Sequence, residues 1–285
     1  LGGRVVGSFG FGFDCKDLWG SEDQPTLEEI RFKLGTPVRE RVWYLRYALK
    51  AQMTVDEIYE STSIDPWFLN QLAEIVEMEE KLRQWQHVSQ VDDATLRKAK
   101  QFGFSDRQLA SLWNSSEMDI RDQRKGRGIS VTFKSVDTCA AEFEAETPYY
   151  YSTYEGGSSE HGIDFVPGLA GSTKQRIAVI GSGPIRIGQG IEFDYGCVHA
   201  AGAIQDLGHE AIIINNNPET VSTDFDTSDR LYFDPLTLEC VTEVLLREDA
   251  NGILLQFGGQ TAINLALPLA DTLPYLSTIG LELVM

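Results

Sequence analysis

Apolar residues recur every three or four positions through the first part of the chain and cluster in short unbroken runs through the last part, with the change near Arg127. From Thr26 to Arg127 that spacing predicts helices. The clearest is expected from Asp65 to about Trp85. It carries Phe68, Leu72, Ile75, Val76, Met78 and Leu82 near one face, with Glu74, Glu77, Glu80, Lys81 and Arg83 mostly on the other. Start signals are frequent. Thr26 with Glu29, Thr54 with Glu57, Ser105 with Gln108 and Ser116 with Asp119 have the spacing of reciprocal N-terminal caps. Thr36-Pro37 and Asp65-Pro66 put a proline where its missing N–H costs nothing. Starts this close together require short helices, so the region reads as a compact all-α unit. In the helix expected over 39–52, Trp43 and Tyr47 widen the apolar stripe of Val42, Tyr44, Leu45, Ala48 and Leu49. Those rings fit either a partner surface or a core.

Beyond Arg127 the texture is extended at 129–133 and 149–153, and 155–173 is rich in Gly, Ser and Pro, as a linker would be. Strands and helices then alternate. Strands are expected at 176–180, 211–215, 231–233 and 252–257, and helices at 191–207, 238–247 and 261–269. That order calls for a mostly parallel sheet with helices on both faces, a Rossmann-like α/β domain following the all-α one. In such a sheet ligands lie beyond the carboxyl ends of the strands.

The net charge of −19 argues against nucleic acid and anionic membrane surfaces as partners. Four cysteines are dispersed without Cys-x-x-Cys or His spacing for a metal, which fits a reducing cytoplasm. Cys197 and Cys240 fall in expected helices and read as small core residues. His87, His161, His199 and His209 have no neighbour that argues for a triad or a metal. No apolar run approaches the ~18 residues that span a membrane. The first residues, Leu1 to Gly7, and the apolar end at Met285 suggest a piece of a longer polypeptide.

Candidate chemistry gathers at three strand ends. The run Ile177 to Ile180 empties into Gly181-Ser182-Gly183-Pro184-Ile185-Arg186-Ile187-Gly188-Gln189-Gly190, just ahead of a helix starting near Glu192. Backbone N–H groups and a helix N-terminus at such a turn suit an anion. The dinucleotide fingerprint is not met: Gly188 comes too late, and the next strand ends in Asn215-Asn216-Asn217-Pro218-Glu219 with no acid at its tip to hold a ribose. The NTPase phosphate loop is absent too. Arg186 and Glu192 could meet a small anion, though Arg186 would serve equally as a structural ion-pair partner. The Asn217 to Glu219 loop and the turn Gly258-Gly259-Gln260 should fall on the same edge. The glycines taken singly fit turn geometry alone. Asp224, Asp226 and Asp229 lack the glycine and terminal glutamate of a calcium loop, so turn and cap duty is the simpler reading.

The run 181–195, with Asn217 to Asp224, Ser228 to Phe233 and Gly258-Gly259-Gln260-Thr261, closely resembles the large subunits of carbamoyl phosphate synthetases. So do Val136 to Phe143, Tyr151 to Tyr154 and Ile64 to Leu69. The resemblance implies a carbon–nitrogen ligase serving arginine or pyrimidine synthesis, with two ATP-grasp synthetase halves joined by a helical oligomerisation domain. Residues 1–13 would then be the tail of the first half. Residues 14–167 would be the connector, including its extended end. Residues 168–285 would be the pre-ATP-grasp domain of the half that makes carbamoyl phosphate.

The resemblance further implies a separate glutaminase small subunit, self-association through the helical domain, and bicarbonate, ammonia and carbamate as the small molecules handled. Arg186, Gly190, Glu192 and Glu219 would line the carbamate passage, beside the turn of Gly181, Gly183 and Gly188 and the crevice of Asn217, Gly258, Gly259 and Gln260. ATP and magnesium (or manganese) would bind segments absent from this chain, and the isolated piece would be inactive. Two rivals remain: a non-catalytic scaffold, and a helix-turn-helix reader of DNA over 105–129 with Arg121, Arg124, Lys125 and Arg127 as its basic end.

Overall fold

The computed structural model describes residues 18–38, 40–140, 142–143, 147–155, 173–185 and 190–273, with the strand backbones at 8–10, 13–14 and 277–279. The chain packs as two compact units that divide at Ser130 and Val131.

In the first unit a short antiparallel pair, β1 (Ser8–Gly10) and β2 (Phe13–Asp14), precedes seven helices. These are α1 (Leu27–Gly35), α2 (Arg41–Lys50), α3 (Val55–Thr62), α4 (Pro66–Leu82), α5 (Asp93–Gln101), α6 (Asp106–Leu112) and α7 (Glu117–Gly126). The capping signals act as read. Thr26, Thr54, Ser105 and Ser116 each accept the N–H three residues on, and Thr54 with Glu57 closes a full capping box. Asp65 accepts from the Trp67 N–H, with Pro66 at the first helical position. Asp92 caps α5 in the same manner, a start the sequence reading did not name. Thr36 starts nothing. Its hydroxyl donates to the Phe32 carbonyl and it closes α1, while α2 begins after Glu40 without a side-chain cap.

Ile30, Leu34, Leu45, Tyr47, Ala48, Met53, Ile58, Leu69 and Val76 form the core of α1 to α4. Tyr47 is buried, with its ring stacked against Trp19, and Trp43 packs half-buried on the same cluster. The core reading of those rings therefore holds. Two buried ionic clusters bind the helices together. The Glu79 carboxylate takes Arg46 at 2.6 Å, Arg83 at 2.8 Å and Lys50 at 3.4 Å. Asp106 takes Lys100 at 2.9 Å and Arg124 at 2.9 Å. Arg127 donates to the carbonyls of Val91 and Val88. Two of the four cations of the supposed DNA-reading end are thus committed to holding the fold, and that reading has no support.

The second unit is built on one seven-stranded sheet. Its elements are β3 (Thr132–Ser135), β4 (Tyr149–Thr153), β5 (Arg176–Ile180), α8 (Glu192–Asp206), β6 (Glu210–Ile214), β7 (Arg230–Tyr232), α9 (Leu238–Glu248), β8 (Gly252–Leu254), α10 (Gly259–Ile263), α11 (Ala266–Thr272) and β9 (Ser277–Ile279). The order across the sheet is β3-β4-β7-β6-β5-β8-β9, and every pairing is parallel except β3 with β4. The extended segments at 131–153 are hydrogen-bonded into this sheet, because β7 would otherwise present an unpaired edge. Division by packing therefore falls earlier than division by composition at 167/168. The glycine- and serine-rich segment 156–172 lies outside the described residues.

Strand alternation supplies two cores. Ile177, Val179, Ala211, Ile213 and Leu231 pack against Cys197, Ala200, Ala201 and Ile204 of α8. On the other face Ala178, Ile180, Ile212, Ile214 and Tyr232 pack against Val241, Val244 and Leu245 of α9 and Ala262, Ala266 and Leu269 of α10 and α11. At the amino ends of the strands, Glu210 and Glu248 hold Arg176 and Arg230. Arg176 also donates to the Glu248 carbonyl at 2.8 Å, and the Tyr232 hydroxyl bonds the Glu248 carboxylate.

Candidate functional site at the carboxyl edge of the sheet

From β5 the chain passes to β6 on one side and later returns to β8 on the other, so the strand order reverses at β5. An open α/β sheet parts its crossovers at such a point and leaves a crevice beyond the strand ends. The two glycine turns meet there. A Cβ on Gly258 would lie 2.4 Å from the Ile180 carbonyl oxygen and 2.7 Å from that of Gly181. The turn after β8 therefore rests on the turn after β5 with room for hydrogen only. Gly259 follows at φ 57°, ψ −155°, a conformation open essentially to glycine alone. Gln260 is exposed in the first turn of α10.

Asn215, buried at the tip of β6, organises the turn after β5. Its Oδ1 accepts the N–H of Gly183 at 3.0 Å and that of Asn216 at 2.9 Å, while the Gly181 N–H continues the ladder to the Ile214 carbonyl. Gly181 has no space for a side chain, since a Cβ would fall 2.4 Å from Asn215 Cγ. Gly183 adopts φ 75°. The asparagine run signalled this hub only as a polar strand end, and the sequence reading singled out Asn217 instead. Asn217 Oδ1 accepts the Glu219 N–H at 3.1 Å, so it shapes the loop that presents the exposed Glu219.

Glu192 opens α8. Its carboxylate accepts the Gly190 N–H at 3.2 Å, and a Cβ on Gly190 would meet Glu192 Oε2 at 2.6 Å. Two residues on, buried Asp194 accepts the Ser222 N–H through both oxygens, at 3.2 and 3.3 Å. That contact ties the loop bearing Glu219 to the helix bearing Glu192, and no local pattern announced it. The structure thus gathers Gly181, Gly183, Gly190, Glu192, Asn217, Glu219, Gly258, Gly259 and Gln260 at one edge. Arg186 and Gly188 lie outside the described residues.

Beneath the crevice the Cys197 thiol faces the carbonyls of Phe257 and Ile180, and burial pushes its pKa up to about 12. It is a packing group and not a nucleophile. Asp229 accepts the Ala211 N–H and a Gln205 amide hydrogen, so it ties the start of β6 to the end of α8 instead of serving a local turn or cap. Among the described residues no set of three or more His, Cys, Asp or Glu side chains could hold a metal ion, and no helix is long and apolar enough to cross a membrane.

A helical unit followed by a mostly parallel α/β unit, with glycine turns interlocked at the strand-order reversal, defines a two-module chain with an open α/β crevice. Residues 173–283 match the sequence model of the carbamoyl phosphate synthase preATP-grasp domain, and residues 7–128 that of the oligomerisation domain of the carbamoyl-phosphate synthetase large chain. The chain is 54% identical over 266 residues to a carbamoyl phosphate synthase large chain of Rhodopirellula baltica, covering 93% of this chain and 24% of that protein. It is 49% identical over 270 residues to one of Archaeoglobus fulgidus, covering 94% of this chain and 24% of the relative. With one of Synechocystis it shares 50% over 264 residues, covering 93% and 23%. The chain belongs to the carbamoyl phosphate synthase large-chain family and spans about a quarter of the length of these relatives.

Proposed function

We propose that this chain is the connector and the adjoining pre-ATP-grasp domain of an ATP-dependent ligase that makes carbamoyl phosphate from bicarbonate, glutamine-derived ammonia and two ATP. On this reading the helical unit, up to Ser130, carries self-association and the α/β unit that follows carries part of a passage for carbamate. The observation that carries it is the edge at which Gly190 and Glu192 are hydrogen-bonded while Asp194 holds the Glu219 loop alongside. Two carboxylates fixed near a glycine turn can orient a guanidinium, and Arg186 is the residue in the turn that would supply one. A small labile anion travels best where charge and main-chain N–H groups accompany it and bulk water is excluded.

ATP and its magnesium or manganese belong, in this proposal, to ATP-grasp segments beyond this chain. A glutaminase small subunit is the proposed source of ammonia, a cytoplasmic setting fits the dispersed cysteines, and arginine or pyrimidine synthesis is the destination of the product.

The passage is tested in the full-length large chain. Glu192→Gln with Glu219→Gln should depress carbamoyl phosphate formation at least tenfold while bicarbonate-dependent ATP hydrolysis continues, because only the transfer between sites is impaired. Equal loss of both activities would refute a passage role. The 285-residue chain alone should show no bicarbonate-dependent ATPase.

A further inference from the structure

The loop between β6 and β7 is pinned at two places. At its start Asn215 is buried. Its N–H donates to the Tyr232 carbonyl at 3.0 Å, and its Oδ1 accepts from Gly183 and Asn216. Further on, a 3₁₀ turn over Val221–Thr223 is closed by its own bonds. The Thr223 N–H and hydroxyl both donate to the Thr220 carbonyl, at 3.0 and 2.8 Å. The Asp224 N–H and the Thr227 hydroxyl donate to that of Val221, at 3.1 and 2.8 Å. The turn therefore moves as a unit, and a hold on Ser222 holds 220–224 together. Glu219 lies between the two pins, immediately before the turn.

The hold on Ser222 comes from Asp194. An acid in the first turn of a helix is favoured by the helix dipole. In α8 that acid is directed at another segment, since both Asp194 oxygens accept the Ser222 N–H, at 3.2 and 3.3 Å. Asp194 and Ser222 are both buried, so bulk water is no ready substitute for either partner. The Ser222 hydroxyl is buried without a hydrogen-bond partner, which leaves the main-chain N–H as the group that makes the contact. Glu192 stands two residues before Asp194, and Glu219 three before Ser222. Both glutamates are exposed and negative, so their own charges do nothing to keep them together.

We propose that Asp194 is a positioning residue: by gripping the Ser222 N–H it fixes where Glu219 stands relative to Glu192, and so sets the form of the mouth between them without touching the anion. The inference rests on the reading of this edge as a passage, and adds to it the strut that keeps two lining carboxylates in a constant relation.

The strut is tested first in the 285-residue chain, by hydrogen exchange followed by mass spectrometry. In Asp194→Ala the amides of 216–224 should exchange about tenfold faster or more, the effect of losing one charged hydrogen bond, while peptides over β5, β6 and β7 keep their rates. Asp194→Asn retains an acceptor and should recover most of the protection. In the full-length large chain, Asp194→Ala should lower the carbamoyl phosphate formed per bicarbonate-dependent ATP hydrolysed by about fivefold, and Asp194→Asn should restore roughly half of that loss or more. The double variant Glu192→Gln with Glu219→Gln is the reference. If it uncouples product from ATP hydrolysis and Asp194→Ala does not, the positioning role is overturned and the passage stands; if neither uncouples, both are overturned. Faster exchange throughout the α/β unit, or equal loss of product and ATP hydrolysis in Asp194→Ala, would mean a purely structural role and overturn the proposal. So would an Asp194→Asn chain that behaves no better than Asp194→Ala.

Discussion

Replacing Gly258 by alanine tests the interlocked turns directly. The added carbon would sit 2.4 Å from both the Ile180 carbonyl oxygen and the Ala262 Cβ, and 2.7 Å from the Gly181 oxygen, where real Cβ atoms essentially never come within 3.0 Å. None of those atoms can rotate away. Two belong to the main chain at the end of β5, and the third is the first carbon of a fully buried residue on α10. Overpacking in a tight core costs about 1–3 kcal/mol, and unyielding main-chain neighbours put this site at ~3 kcal/mol or above. For a unit of this size that is a fall of roughly 6–12 °C in Tm.

The control is Gly202→Ala. It lies mid-way along α8 with nothing within 4 Å of the added carbon, and should gain about 0.5–1 kcal/mol. The chain provides a built-in discriminator, because Trp19, Trp43, Trp67, Trp85 and Trp113 all belong to the helical unit. Urea unfolding followed by tryptophan fluorescence should be unchanged in Gly258→Ala, while the transition seen by far-ultraviolet circular dichroism gains an early component. If Gly258→Ala matched the unaltered chain within about 0.5 kcal/mol, the steric reasoning would be refuted.

Asp106→Ala should destabilise the helical unit by about 3–5 kcal/mol, because it strands the buried cations of Arg124 and Lys100, and tryptophan-monitored urea unfolding would read the loss. Glu79 gives a pH dependence of known sign. Burial pushes its pKa up, but hydrogen bonds and charge from Arg46, with the charge of Lys50 and a bond from Arg83, hold it below the usual carboxylate range. Its contribution is therefore present above the ordinary Glu pKa of about 4.3 and is lost as pH falls through the lower folded value, and Glu79→Gln should flatten that part of the stability–pH curve. Cys197 should stay unlabelled by a thiol reagent at neutral pH while the chain is folded, whereas the half-buried Cys139 and Cys240 react first; peptide mapping by mass spectrometry would show the order.

Local signals in the sequence located most elements, and tertiary context decided the rest. Caps at Thr26, Thr54, Asp65, Ser105 and Ser116 are short-range chemistry, and each starts a helix where its spacing says. Unbroken apolar runs at 177–180 and 211–214 mark strands covered on both faces, and both are central in the sheet. Thr36 misled because one hydroxyl can close a preceding helix as well as open a following one. The helix expected at 261–269 is two short helices, α10 and α11, and β9 had no pattern of its own to announce it.

Charge was the least legible feature. Patterning assigns every Arg and Glu to solvent, so the buried roles of Glu79, Asp106, Arg46 and Arg124 were invisible until distant segments met. At the carboxyl edge the glycines and the acids Glu192 and Glu219 could be read as a set, because the topology rule gathers strand ends. Asn215 and Asp194 could not, since each acts through a partner at least 28 residues away in sequence.

The ionic lattice of Arg176, Glu210, Arg230 and Glu248 at the opposite rim of the sheet has a consequence for how this domain can change. By clamping three adjacent strands and the end of α9 at their amino side, it fixes the register of the sheet without help from the loops at the far rim. Those loops can lengthen, tighten or exchange residues over generations while the strands beneath them stay aligned. The clamp thus leaves the opposite, glycine-rich rim free to vary.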